Sequence, residues 1–260
     1  MHGAGATAKG RKAMASEPAK RGAARSRTDP RAPQRGRGVV RYEALLDATD
    51  ELLQTQSTDD VGLYQIAERA GVPPASAYHF FPTKEAAFLG LAQRYLRGFS
   101  ELTRRPVPAQ ALAGWQALMR WDLEQGLGYY HAHPAALKIL LGGYGGMATR
   151  QANSAYNRRI GASTYQRLNA AFHMPPLRDP VTLFHVNIEI TDAIWTLSFL
   201  EHGRLTPAFT EEAHRASVAY CRLYLPEHVE LREAHVAALA AGAPVVLRPI
   251  ASDEAEAPAS

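Results

Sequence analysis

The chain has 260 residues, 46% of them hydrophobic and 21% charged, which is enough apolar material for one large domain or a small head on a larger body. The formal net charge of +4 is a mild basic bias, compatible with an anionic partner. A single cysteine, Cys221, excludes an intramolecular disulfide and a cysteine-based zinc site, so we expect a protein of the reducing cytoplasm. No apolar run reaches the roughly 20 residues of a membrane span, so we expect no membrane partner.

The two ends of the chain have compositions that predict disorder. Residues 1–36 are rich in Gly, Ala, Pro and basic side chains, and they cannot bury enough apolar surface to offset the entropy of ordering. This basic arm directly precedes the first predicted helix, which leaves two interpretations open: a segment that binds phosphates, or a solvated leader with no dedicated role. Residues 242–260 are predicted to be a disordered acidic tail.

Residues 37–82 predict a small head made of three helices. Leucine and alanine recur at helical spacing between about residues 39 and 53 and indicate the first helix. A second helix begins near Gly62, Gly71 gives it a tight exit, and Pro74 suits the first turn of a third helix. Two short helices joined by a glycine-containing turn form a helix-turn-helix, whose second helix enters the major groove of DNA. The head is therefore predicted to bind DNA.

The same segment carries a family pattern: the turn Ala70-Gly71-Val72, the run Tyr78-His79-Phe80-Phe81, and Lys84-Glu85 at the start of the next helix. From about Arg41 to about Tyr95 the chain resembles the N-terminal domain of the TetR (tetracycline repressor) family of transcriptional regulators. Gly62 and Pro73-Pro74 replace the small polar caps that are common in that family, and both are acceptable at a helix start. The resemblance implies a homodimer with a DNA-binding head and a ligand-binding helical body.

A set of head residues is expected to contact DNA. The phosphate candidates are Arg41, Tyr78, Thr83 and Lys84, and the resemblance implies backbone contacts for Tyr78 and Lys84 in particular. The base-edge candidates are Tyr64, Pro74, Ala75, Ser76 and His79, because they face outward from the second and third predicted helices. Ser76 can donate or accept, and Ala75 can meet a thymine methyl group. For Tyr78 and His79 the alternative is packing within the head.

Residues 83–241 predict an all-helical body with Pro and Gly between the helices. A long helix from Thr83 to near Arg104 connects the head to this body. The further helices are predicted at about 109–130, 134–141, 150–172, 181–201 and 207–225, with a weaker one at 227–241. We find no alternating strand pattern, so the predicted fold class is all-α: a helix-turn-helix head plus a larger helical ligand-binding and dimerisation body.

Large side chains with an occasional polar tip are candidates for lining an effector pocket in the body. They are Trp115, Met119, Asp122, Tyr129, Tyr144, Tyr156 and Trp195, and for each the alternative is ordinary core packing. The helix from Val181 is apolar on nearly every side, so one face is expected to line the interior and another to meet a partner. The resemblance implies that this helix and the predicted helix at 207–225 form the dimer interface. The candidate interface residues are Phe184, Ile188, Phe199, Ala213, Ala216 and Tyr220. The alternative is core packing in a monomer.

Metal binding and catalysis are not expected. His131 and His133, and the trio His185, Glu189 and Asp192, are the candidate metal ligands, but a histidine at a helix end already interacts with the helix dipole. We therefore predict no metal and no cofactor. The chain contains no P-loop, no nucleophile elbow and no His-Glu-x-x-His pattern, and Cys221 lies among apolar residues, so we predict no enzyme.

The sequence therefore predicts a cytoplasmic, sequence-specific transcriptional regulator, a repressor that a small-molecule effector releases from a palindromic DNA operator. The alternative is a helical small-molecule binding protein with only non-specific DNA affinity. This alternative stays open because Pro74, Ala75 and Ala77, in the predicted reading helix, carry no hydrogen-bonding side chain.

Overall fold

The structure is a computed structural model that describes residues 29–142 and 146–248. Its helices are α1 Arg37–Thr55, α2 Leu63–Arg69, α3 Pro74–Phe80, α4 Lys84–Leu102, α5 Trp115–Ala132, α6 Pro134–Ala136, α7 Gly146–Ala171, α8 Pro180–His202, α9 Pro207–Cys221 and α10 Glu233–Ala240. Within these ranges β structure is limited to two isolated bridges, Val107–Val245 and Phe172–Leu231. The predicted all-α fold, with a helix-turn-helix head on a helical body, is confirmed.

Side-chain caps and prolines fix where the main helices begin. The Thr83 hydroxyl accepts a hydrogen bond from the Ala86 N–H at the start of α4. Asp179 caps α8 and Thr206 caps α9 in the same way, accepting from Thr182 and Phe209. The first residue of α3, α8 and α9 is a proline. A backbone N–H at this position would have no acceptor within the helix, so its absence in proline costs nothing.

One predicted helix is divided into two elements. Residues 109–130 were expected to form one continuous helix, but the chain forms a 3₁₀ turn, Ala109–Leu112, before α5 begins at Trp115. The helix breaks because Gly114 is extended, with φ 177°, and accepts the first hydrogen bond of α5 from the Leu118 N–H. A π-helical turn, Leu137–Leu141, extends α6.

The head has an aromatic core that also receives α4. Tyr42 of α1 packs against Phe80 and Phe81, with ring centroids 5.9 and 4.8 Å apart. Gly90 of α4 lies so close to this cluster that a Cβ atom there would be 2.9 Å from Phe81 Cε1 and 3.0 Å from the Tyr42 hydroxyl. The first half of α4 therefore belongs to the head.

The body is organised around α8, which packs between α7 and α9. At Gly161 of α7 the two backbones meet so closely that a Cβ atom would lie 2.6 Å from the His185 amide nitrogen. Only glycine allows this approach. Among the described helices, none has both the length and the apolar character that a membrane span requires.

Parts of both predicted tails pack against the folded chain. The Arg31 N–H donates to the Phe80 carbonyl at 2.8 Å, so the chain at Arg31 lies against the head. Val107 and Val245 exchange two backbone hydrogen bonds of 2.7 and 2.8 Å, and Leu247 is buried. The contact at Arg31 is made by the backbone and leaves no sign in the composition, whereas Val245 and Leu247 belong to a short apolar stretch within the segment predicted to be an acidic tail. The rest of the predicted basic arm and acidic tail, residues 1–28 and 249–260, lies outside the described residues.

Candidate functional site

The helix α3 presents an uncovered face at the surface of the head. Ala75, Tyr78 and His79 are exposed and lie at helical spacing on one side of α3, while Ala77 and Phe80 on the other side are buried in the core. The turn before α3 depends on Gly71, whose φ of +62° is unfavourable for any other residue. Pro74 is exposed and Ser76 is half-buried. A short helix held from one side thus offers its other side to a partner.

Of the remaining candidate DNA contacts in the head, some side chains are exposed and others are hydrogen-bonded within the protein. Tyr64 of α2 and Arg41 of α1 are exposed, and Tyr78 is 52% exposed; within the described residues none of these three side chains makes a hydrogen bond. Lys84, in contrast, donates to the Thr58 carbonyl at 3.1 Å and to the Asp59 carbonyl at 3.2 Å. Its ammonium joins the α1–α2 loop to α4, so a DNA phosphate at this position would share the Lys84 ammonium with these two carbonyls. Thr83 likewise uses its hydroxyl as the α4 cap.

An ionic cluster that the sequence analysis did not anticipate fastens α4 to α1. Arg94 forms ion pairs with Asp47, Asp50 and Glu43. The Tyr95 hydroxyl donates to Asp50 at 2.7 Å, and burial together with this bond raises the pKa of Tyr95. The acids recur along one side of α1, but their basic partner is more than 40 residues away, so local spacing gives no signal.

A second link joins the head to the body. The Lys138 ammonium, on the π-helical turn, donates to the Leu53 carbonyl at 2.6 Å and to the Gln56 carbonyl at 2.9 Å. These carbonyls are at the C-terminal end of α1, where a positive charge also interacts favourably with the helix dipole. Lys138 thereby links the body to the end of α1.

The body contains a mainly apolar cavity of about 120 Å³ between α4, α5, α7 and α8. Three of the predicted pocket residues, Met119, Asp122 and Trp195, lie on its wall. Helix α4 contributes its last turns, including Phe99 and Leu102. The same helix therefore borders the cavity at one end and forms part of the head at the other.

The other predicted pocket residues lie elsewhere. Trp115 is fully buried in the core, where its indole N–H donates to the Pro226 carbonyl at 3.0 Å. The Tyr129 hydroxyl donates to the Tyr95 carbonyl, and the Tyr156 ring packs under the Arg159 guanidinium at 5.3 Å. Tyr144 lies outside the described residues. Size and polarity could not separate these aromatic side chains from Tyr130, which does line the cavity.

An ion pair between the buried Arg167 and the partly buried Asp122 closes one side of the cavity. Arg167 of α7, only 4% exposed, donates to both carboxylate oxygens of Asp122, the shorter distance being 2.8 Å. It also donates to the carbonyl of Thr103, which follows the end of α4. Desolvation raises the pKa of Asp122 to about 6, although Arg167 lowers it. Arg167 thus joins α4, α5 and α7 beside the cavity.

A second carboxylate on the wall has a different environment. Asp192 of α8 accepts hydrogen bonds from the side-chain amides of Asn153 and Asn157, at 3.1 and 2.8 Å. Desolvation raises the pKa of Asp192 to about 6, the two amides lower it, and nearby Glu189 raises it. Both of its hydrogen-bond donors are neutral amides.

The predicted dimer residues do not share one surface. Phe184 and Ala213 are fully buried within the subunit, because the inner faces of α8 and α9 pack into its own core. Ile188 lines the cavity, Phe199 packs against the core, and Ala216 and Tyr220 are half-buried. The exposed apolar residues of α8 lie on its opposite face: Val186, Ala193, Leu197 and Leu200. Leu223 and Tyr224, just after α9, are also exposed.

The candidate metal ligands do not come together. His185 bonds to Glu189 at 3.2 Å, while Asp192 is bonded to the two asparagines instead. Across residues 29–142 and 146–248, no group of three or more histidine, cysteine or acidic side chains is placed to hold a metal ion.

Sequence comparison matches the head to a known family. The family model described as "Bacterial regulatory proteins, tetR family" matches residues 45–91. Over 64 residues the chain is 38% identical to the HTH-type transcriptional regulator BetI of Rhizobium meliloti (strain 1021). This match covers 25% of the chain and 32% of BetI, so it spans about a third of that relative's length.

Structural comparison extends the likeness to the body. A TetR-family transcriptional regulator from Streptomyces coelicolor has a TM-score of 0.56 at 24% identity, covering 73% of this chain and 99% of its own. A TetR transcriptional regulator from Rhodococcus sp. RHA1 has a TM-score of 0.55 at 18% identity, covering 74% and 100%. At such identities the likeness shows a shared fold. The head therefore matches the family model of the tetR family of bacterial regulatory proteins, and head and body together have the fold of solved TetR-family regulators.

Proposed function

We propose that the protein is a sequence-specific DNA-binding transcriptional regulator that acts as a homodimer on a palindromic operator. The observation that carries this proposal is the exposed face of α3, held by the head core and preceded by the Gly71 turn. A helix of this kind fits the major groove, and a two-fold dimer reads half-sites about 34–36 Å apart. The exposed Arg41 and Tyr78 are the proposed phosphate contacts.

Selection from a pool of random duplexes tests sequence recognition. The full chain is mixed with the pool, bound duplexes are recovered by gel shift, and the retained sequences are determined over successive rounds. We expect enrichment of one palindromic sequence. Equal and strongly salt-sensitive binding to every duplex would instead support the alternative, a small-molecule binding protein with only non-specific DNA affinity.

We further propose that a small molecule in the cavity controls DNA binding. Helix α4 borders the cavity with Phe99 and Leu102, while its first half packs on Tyr42 and Phe81 in the head. A ligand that favours one position of α4 shifts the equilibrium between head spacings by its differential affinity for the two states. Release of a repressor is the proposed direction. SmeT of Stenotrophomonas maltophilia, a structure with a TM-score of 0.51 at 14% identity, is described as the repressor of a multidrug efflux pump.

The proposed dimer forms through the outer face of α8. Val186, Leu197 and Leu200 recur there at helical spacing and are 38%, 50% and 66% exposed. Exposed apolar residues that form a continuous stripe indicate an association surface. Leu223 and Tyr224 add apolar area beyond the end of α9.

Charges placed on this stripe are expected to separate the dimer. The double variant Leu197→Glu/Leu200→Glu brings four carboxylates into a two-fold interface, where like charges repel and cannot be desolvated cheaply. We expect the wild type to elute as a dimer in light-scattering chromatography and the variant as a monomer with unchanged helical circular dichroism. Val236→Glu is the matched control, because Val236 is 51% exposed on α10. A wild-type monomer, or a variant that stays dimeric, would contradict this interface.

Removal of the Lys138 ammonium is expected to weaken the coupling between cavity and head. Lys138→Met breaks two hydrogen bonds from a charged donor to the end of α1, and such bonds contribute roughly 1.5–3 kcal/mol each. We expect a lower melting temperature and a smaller effect of effector on DNA affinity. Lys138→Arg keeps a charged donor at this position and is the control. Coupling in Lys138→Met equal to that of the wild type would show that the contact is not part of the transmission.

A further inference from the structure

The cavity contains a carboxylate without a compensating cation. Among the ion pairs of the described residues, none includes Asp192, whose hydrogen-bond donors Asn153 and Asn157 are neutral amides. Glu189, one turn earlier on α8, adds negative charge nearby. Asp122, the other carboxylate on the wall, is already neutralised by Arg167. A cation that entered the cavity would therefore interact with Asp192.

Aromatic rings adjoin this carboxylate. Phe99, Tyr130 and Trp195 all line the cavity, with ring centroids 5.0 Å apart for Phe99–Tyr130 and 5.6 Å apart for Tyr130–Trp195. Trp195 follows Asp192 by three residues, so the two side chains lie on the same side of α8. The faces of such rings attract cations, and their bodies provide apolar contact.

Trp195 also carries an unpartnered polar group. The residue is 5% exposed, and its indole N–H is buried with no hydrogen-bond partner among the described residues. A buried donor left without an acceptor is costly, so such donors are normally paired. An acceptor atom on a bound molecule would pair this one.

We propose that the effector is a small protonated amine whose ammonium group donates to Asp192 and whose otherwise apolar body carries one acceptor oxygen for the Trp195 indole N–H. This inference rests on the proposed function, in which the cavity holds an effector, and names the chemical class of that effector. An anion would meet an uncompensated carboxylate, and a neutral molecule would leave that carboxylate without a counter-charge. The cavity of about 120 Å³ resembles in size the roughly 150 Å³ cavity that admits benzene in another protein, so one ring fits.

Three probe molecules of similar size and different charge test whether the effector is a protonated amine. Benzylamine, benzyl alcohol and benzoate are titrated separately into the full chain at neutral pH, and binding is measured by calorimetry. We expect benzylamine to bind at least about tenfold more tightly than benzyl alcohol, because a charge-assisted hydrogen bond is stronger than a neutral one. Benzoate should not bind. Equal affinity for amine and alcohol, a preference for benzoate, or no binding by any probe would overturn the proposal.

A charge-removing variant assigns the effect to one residue. Asp192→Asn keeps the shape of the side chain and its acceptor oxygen for Asn153 and Asn157. We expect it to bind amine and alcohol within about twofold of each other, because the charge assistance is lost. Glu189→Gln removes a nearby charge and should retain the amine preference. A preference that persists in Asp192→Asn would overturn the proposal. Because no DNA is present, failure here is distinguishable from failure of DNA recognition.

Discussion

Ala75→Glu is expected to abolish binding of the selected duplex, with a loss of affinity of about 100-fold or more, since like charges brought together at an interface cost several kcal/mol. Ala75 is exposed in the first turn of α3, on the same side as Tyr78 and His79. In the proposed complex this face lies in the major groove between two rows of phosphates. A carboxylate there meets phosphate oxygens, and the basic side chain of α3 is His79, one turn later.

Affinity is measured by gel shift at constant salt, since salt alone changes it greatly. Ala155→Glu is the matched control, because Ala155 is exposed on α7, in the body. We expect both variants to melt near the wild-type temperature, since neither side chain is packed in the core. Undiminished affinity in Ala75→Glu, or an equal loss in the control, would show that α3 does not face the duplex.

Arg167→Met is expected to cause the largest loss of stability. Removing one partner of a buried ion pair costs about 3–5 kcal/mol, because the other charge is left uncompensated. Arg167 is buried, pairs with both oxygens of Asp122, and also holds the Thr103 carbonyl at the end of α4. For a chain of this size each kcal/mol corresponds to about 2–4 °C, so the melting temperature should fall by roughly 6–20 °C.

The pH dependence of the stability of Arg167→Met shows whether the loss comes from the missing charge or from missing packing. Without Arg167, desolvation alone raises the pKa of Asp122 further above its ordinary value, so the folded variant favours the protonated acid. The contribution of Asp122 to the stability of the variant is then fully present at low pH and is lost as the pH rises through the folded pKa, which lies above the wild-type value of about 6. The deficit relative to the wild type should therefore be smaller at pH 5 than at pH 8. A deficit independent of pH would indicate packing alone.

Two companion variants complete this test. Arg120→Met removes an ion pair to Glu211 at the surface, where both side chains are more than 40% exposed, and should change the melting temperature little. Arg167→Met/Asp122→Leu removes both charges of the pair and should recover part of the loss. If the double variant is no more stable than Arg167→Met, the orphaned carboxylate is not the cause.

The sequence predicted the head well, because its signals are local. Gly71 and Pro74 fix a turn and a helix start that depend on backbone geometry alone, and both lie where they were expected. The cap at Thr83 and the end of α8 at Gly203, with φ +66°, are local in the same sense. The all-helical body was predicted from the Pro and Gly residues between its helices, which mark the helix boundaries to within a few residues.

The cavity and the interface could not be predicted in the same way, since they depend on which face of each helix turns inward. Trp115 and Trp195 are alike in the sequence, but only Trp195 reaches the cavity, while Trp115 is held by the Pro226 carbonyl. Helix α8 is apolar on two opposite faces, and periodicity alone did not indicate that Phe184 belongs to the inner one. The contacts of Arg167 and Lys138 join residues more than 40 positions apart, which no local pattern encodes.

Site-directed DNA cleavage tests most directly that two copies of α3 lie in neighbouring grooves. Glu68→Cys provides an accessible thiol on α2, since Glu68 is exposed and the native Cys221 is fully buried. An iron chelate attached there cuts nearby DNA when the labelled protein binds the selected duplex. We expect two clusters of cuts related by a two-fold axis and centred about 10–10.5 base pairs apart, or a multiple of that spacing. Cuts spread evenly along every duplex, or a single cluster per bound protein, would contradict the account.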